Sequence, residues 1–147
     1  MKLKATLPFL LLLLFGCASA DATDGASTAP TANLENTYWK LTQIEGKPVT
    51  AGEDQREPHL VLHPGEDRVA GSGGCNQFTG GYRIEDESLT FTQVAATRMA
   101  CAAGMDTEQA FLAALDAVRR WAVTGEHLAL YDESGSILLE FDSVYLP

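Results

Sequence analysis

Two cysteines, Cys75 and Cys101, punctuate a glycine-rich stretch, RVAGSGGCNQFTGGYRIEDESLTFTQVAATRMACAAGMD (residues 68–106). Three chemistries use cysteines placed in this way. A thiolate nucleophile needs a neighbouring base, and the chain offers His59, His63 and His127. None of the three stands in a recognisable nucleophile motif. Soft metal ligation is the second use, since Cys75 and Cys101 with Met99 and Met105 carry the sulfur chemistry that suits Cu(I). The run RMACAAGM lacks the tight CxxC spacing that marks strong metal sites. The third use is a covalent staple, which closes a loop of about 25 residues and contributes roughly 3.5 kcal/mol in the chain-entropy model. That is a large share of the typical stability of about 5–15 kcal/mol. Gly71, Gly73, Gly74, Gly80 and Gly81 could cradle a phosphate, yet no Gly-Lys-Ser/Thr follows. They read more simply as turns and bulges in a tightly curved sheet.

The remaining cysteine bears on the choice. The N-terminus reads MKLKATLPFLLLLLFGCASA: Lys2 and Lys4, then an apolar run shorter than the roughly 20 residues that span a bilayer. This is the pattern of a signal peptide over residues 1–16. Leu14-Phe15-Gly16-Cys17 resembles the bacterial lipobox, with Phe15 at a position where smaller residues are commoner. Cys17 is therefore the expected lipidation site. Ala18 in place of aspartate after it directs the expectation to the periplasmic side of the outer membrane. Export also sets Cys75 and Cys101 in an oxidising compartment, where an even pair tends to bridge. A bridged pair leaves no thiolate for catalysis.

Charge narrows the partners. The formal charge of −10 becomes −12 once Lys2 and Lys4 are removed. Such a body is repelled by phosphate backbones and anionic lipid surfaces, so nucleic acid is not an expected partner, and any membrane contact must come from the acyl anchor. Residues 17–33 hold the lipidated cysteine and a tether without large apolar side chains. Residues 34–147 are the expected single domain.

The elements that must position the cysteines follow from periodicity. YWKLTQI (38–44), HLVLHP (59–64), RVAGS, NQFTGGYRI and SLTFTQVA (88–95) are short, β-rich and bounded by turn residues. Trp39, Leu41, Leu60, Leu62, Phe78, Ile84, Leu89, Phe91 and Gln93 fall on their inward face by alternation. After Gly104 the period changes. Asp106 is the expected helix cap, with Gln109 completing a capping box. Phe111, Leu112, Leu115 and Val118 recur at helical spacing, with Arg119 and Arg120 near the C-terminal end. WAVTG, HLALYD and SILLEFDSV, the last with Ile137, Leu139 and Phe141 inward, return to strand. The fold class is mainly β (α+β): a small antiparallel, barrel-like sheet of about seven or eight strands with one α-helix.

GSGGCNQFTGGY followed by ATRMAC resembles the signature of the META domain family of HslJ-like bacterial lipoproteins, over residues 36–145. The resemblance implies a compact, mostly β fold and a disulfide between Cys75 and Cys101. It implies no established reaction; members are linked to heat shock and to antibiotic resistance. Gln77 departs from the pattern, standing where an arginine often follows the GCN motif.

The expected function is a non-catalytic envelope lipoprotein, a stress- or resistance-associated binding or accessory module. No catalytic residue, metal or cofactor is expected. Asn76, Arg98 and Met99, beside the cysteines, are the candidate contacts for an envelope protein or a small ligand. The plainer alternative has Asn76 holding a turn and Arg98 paired with a carboxylate. Two other functions stay open: a small-ligand-binding barrel, and a copper- or thiol-dependent protein.

Overall fold

The computed structural model describes residues 30–145. Cys17 and the expected signal peptide lie outside the described residues. Alternation builds β1 (Tyr38–Ile44), which buries Trp39 and Leu41 and exposes Lys40. After the two-residue β2 (Lys47–Pro48), the same period makes β3 (His59–His63), β4 (Arg68–Ser72), β5 (Gln77–Glu85) and β6 (Ser88–Ala96). Helix α1 (Met105–Ala117) follows, then β7 (Arg120–Thr124), β8 (His127–Tyr131) and β9 (Ile137–Val144). Every strand pairs antiparallel with its neighbour, and β1 also pairs with β9 from Tyr38–Val144 to Ile44–Leu139. The sheet thereby closes into a ring, with β2 as a short flap on β1.

One flank of the ring is barely zipped. β6 meets β7 at a single register pair, Ser88 with Arg120. Two backbone bonds flank that pair, from Leu89 N–H to Arg119 O at 3.0 Å and from Trp121 N–H to Glu87 O at 3.1 Å. Helix α1 packs on β6. Its Phe111, Leu115 and Val118 are fully buried. The Phe111 ring meets Phe78 edge-on at 5.5 Å and Phe141 at 5.9 Å, so the middle of the ring is filled by aromatic side chains, Trp39 among them. Trp39 Nε1 donates to Leu34 O at 2.8 Å, and Ala32 N–H donates to Gly125 O at 2.8 Å, so the fold begins just before β1.

Three expectations are corrected. Asp106 does not cap α1: Gly104, left-handed at φ 87°, holds the cap position, and among the described residues no side chain caps the helix. The helix starts two residues earlier than a cap at Asp106 would set it, because the positive φ redirects the backbone at Gly104; Asp106 sits in the first turn, where its charge suits the dipole. Gln93 is exposed, with φ 50°, at the irregularity where Gly80 is skipped in the β5–β6 register. Ile137 is exposed because the β8–β9 register slips between Leu130 and Tyr131, which turns Leu138 and Leu139 both inward. At the other end of α1, Arg119 donates to Asp116 O at 2.9 Å and Val118 O at 2.7 Å, satisfying carbonyls that the helix leaves over.

Candidate functional site

The β4–β5 turn and the segment between β6 and α1 come together at one end of the ring. The turn is tight: Gly73 N–H donates to Asn76 O at 2.9 Å. Thr97 N–H donates to Gln77 O at 2.9 Å, which carries the end of β6 alongside the start of β5. Cys75 and Cys101 are joined in a disulfide with their Cα atoms 5.9 Å apart. The expected staple is therefore present.

Asn76, only 2% exposed, ties the same two segments a second time. Its Oδ1 accepts from Met99 N–H at 2.7 Å and from the Thr97 hydroxyl at 3.0 Å. Its Nδ2 donates to Met99 O at 3.2 Å and to Glu108 Oε1 at 2.7 Å. The side chain holds far more than its own turn. Glu108, on the first turns of α1, is 5% exposed. Its Oε2 accepts from Asn76 N–H at 2.6 Å and Cys75 N–H at 3.2 Å. Burying a carboxylate is costly without partners. Here three N–H donors supply them, and among the described residues no cation pairs with it. Gly73 makes room for this: a Cβ there would run into the Glu108 Cγ and lie 2.8 Å from Oε2.

The other sequence-singled residues are placed differently. Met99 belongs to the clasp through its backbone, while its side chain is 53% exposed. Arg98 is exposed and makes no ion pair among the described residues, so it is not the carboxylate partner that its plainer reading required. With Met99, Met105 and Leu112 it lines a hollow of about 690 Å³ between β6 and α1. His59 and His63 lie on β3, where His59 stacks on Tyr38 at 4.3 Å and makes its Nδ1 contact to Glu57 O at 2.9 Å. Burial and then Glu57 push the Tyr38 hydroxyl up to about 12. His127 lies on β8, its ring nitrogens 3.0 Å from Asp142 and 3.2 Å from Glu140 on β9. The hydrogen bond to Asp142, then the Glu140 contact and both charges, raise its pKa above the ordinary histidine value against the opposing effect of burial. The sulfurs of Cys75 and Cys101 are bonded to each other, and the hydrogen-bonding groups around them are engaged internally.

Sequence reasoning missed Glu108. A signal existed: Glu108, Phe111, Leu115 and Val118 share one helical stripe, and a carboxylate in line with the core side chains must find buried donors.

Residues 32–145 match the META domain model. The chain belongs to the META domain family. This META domain chain is 33% identical over 102 residues to the heat shock protein HslJ of Escherichia coli (strain K12), covering 69% of this chain and 67% of HslJ. A protein from Burkholderia xenovorans, solved by NMR, superposes with a TM-score of 0.63 at 29% identity, over 77% of this chain and 85% of that one. A second NMR structure gives 0.59 at 25% identity, over 74% and 90%.

Proposed function

We propose that this META domain is the folded body of a non-catalytic envelope lipoprotein, anchored through Cys17 on the periplasmic side of the outer membrane and acting as a binding or accessory module in stress or antibiotic resistance. The observation that carries the reading is the clasp. Both thiols of the domain are tied to each other, and the adjoining amide and carboxylate hold two segments together instead of facing a substrate. This is the arrangement of a scaffold. The leader, with its short apolar run ending at Gly16-Cys17, supports the anchor. The name of the E. coli relative, a heat shock protein, supports the stress association.

Fractionation of cells producing the full chain tests the address. The native chain is expected in outer-membrane fractions with a palmitate-labelled N-terminus, and Cys17→Ser is expected to release it into the soluble periplasm. A native chain found soluble and unlabelled overturns the anchor. Ester or peptide hydrolysis that disappears in Cys75→Ser overturns the non-catalytic role.

A further inference from the structure

The outer face of β3–β6 carries an unusual row. In cross-strand register, Val61 faces Ala70, Ala70 faces Thr79 and Thr79 faces Ala95. Short, uncharged side chains therefore form a transverse floor on a surface where long polar ones are the rule. Above it lies a groove of about 660 Å³, within the range of small-ligand sites.

Its charge is opposite to that of the molecule. The chain has 20 Asp and Glu and a net charge of −10. Among the described residues no acid lines the groove, whereas Arg56, His59 and His63 do. Two acids close in sequence to its lining residues are already engaged, Glu57 with Lys40 at 2.8 Å and Glu66 with Arg68 at 2.8 Å, while Glu53 and Asp54 line the adjoining hollow beside the disulfide, on the other side of Arg56. Arg56 and Arg98 make no ion pairs among the described residues. Arg56 stands at the clasp side of the floor, and Arg98 lines the adjoining hollow between β6 and α1. Arg56 N–H bonds to Gly74 O at the β4–β5 turn, and Arg98 follows Thr97 at the end of β6. The hollow that Arg98 lines shares Ala95, Ala96 and Thr97 with the groove.

We propose that this groove binds a small amphiphilic anion, its apolar body on the Val61–Ala70–Thr79–Ala95 floor and its carboxylate, sulfonate or phosphate at Arg56, on the rim that His59 and His63 also line. A guanidinium already paired with a carboxylate would gain little from an incoming anion; an unpaired one at the edge of an apolar floor lets the ligand gain both charge pairing and burial. The inference deepens the binding-module reading by naming a ligand class and a place.

The test uses the full exported chain carrying Cys17→Ser, so that no acyl chain competes, titrated with 1-anilinonaphthalene-8-sulfonate and with its uncharged parent N-phenyl-1-naphthylamine. Amide shifts in 15N spectra are expected at Val61, Ala70, Thr79 and Ala95, with the sulfonate bound about tenfold more tightly. Arg56→Ala is expected to weaken the sulfonate about fivefold, Arg98→Ala, in the hollow between β6 and α1, to leave it unchanged, and Ala70→Glu to abolish binding, with near-UV circular dichroism unchanged. Equal affinity for the two probes, indifference to Arg56→Ala, or no binding up to millimolar probe overturns the proposal. Shifts confined to another face overturn this groove while leaving the binding-module reading intact.

Discussion

The two flanks of β6 are held by different means. Toward β5 the strand is zipped from Glu85–Ser88 to Phe78–Ala96. Toward β7 it has one register pair, and α1 covers the rest. A ladder positions a strand through its own backbone, but a helix lying across an open flank has no such register. Something else must fix where it starts. The disulfide and the Asn76–Glu108 bonds do this, fastening the approach to α1 onto a turn that belongs to the well-zipped side. The clasp stands in for the backbone pairing that the ring lacks there.

Breaking the helix side should cost most. Phe111→Ala is expected to lower stability by about 3–5 kcal/mol in urea unfolding, since it removes the aromatic that joins α1 to Phe78 and Phe141. Replacing Cys75 and Cys101 together by serine should cost roughly 3.5 kcal/mol. Hydrogen exchange sharpens the comparison: in that variant amides of α1 should exchange faster while those of the β5–β6 ladder keep their protection. Equal acceleration on both flanks would show that the clasp serves the whole ring and not the open side. Asn76→Ala should cost about 2 kcal/mol, leaving Met99 N–H and one Glu108 oxygen without their partner.

His127 supplies the smallest effect and a control remote from β6. Its pKa is raised in the fold, first by Asp142. Its contribution is therefore complete below the unfolded histidine value of about 6.5 and fades as pH rises through the higher folded value. The melting temperature of His127→Gln should fall below the native one at pH 5 and rejoin it at pH 9. The clasp variants should keep their deficit at both.

Much of the ring was legible because period-two alternation survives wherever a strand has one buried face: Trp39 and Leu41, Leu60 and Leu62, Leu128 and Leu130 are all inward. It failed at bulges. Gln93 and Ile137 continue the alternation on paper, but a register slip moves each outward, and nothing local in either run announces the slip. Closure was expected as a barrel-like sheet, but the β1–β9 pairing that achieves it joins opposite ends of the chain, and no local pattern names those two strands as partners. The staple was readable from the cysteine count and the compartment expected from the leader sequence. Its polar half was not, since Asn76 and Glu108 are 32 positions apart and meet only once α1 is docked. The acid-free floor needed the register itself, because Val61, Ala70, Thr79 and Ala95 look unremarkable one at a time.

That long-range pairing of β1 with β9 has a consequence for chain order. Tyr38 and Val144 are ladder partners, so the two ends of the fold are spatial neighbours. A circular permutant, with a short linker joining those ends and new termini opened between Glu133 and Ser134 in the exposed β8–β9 turn, keeps every strand partner and the sulfur bridge. The ring is indifferent to where the polypeptide starts.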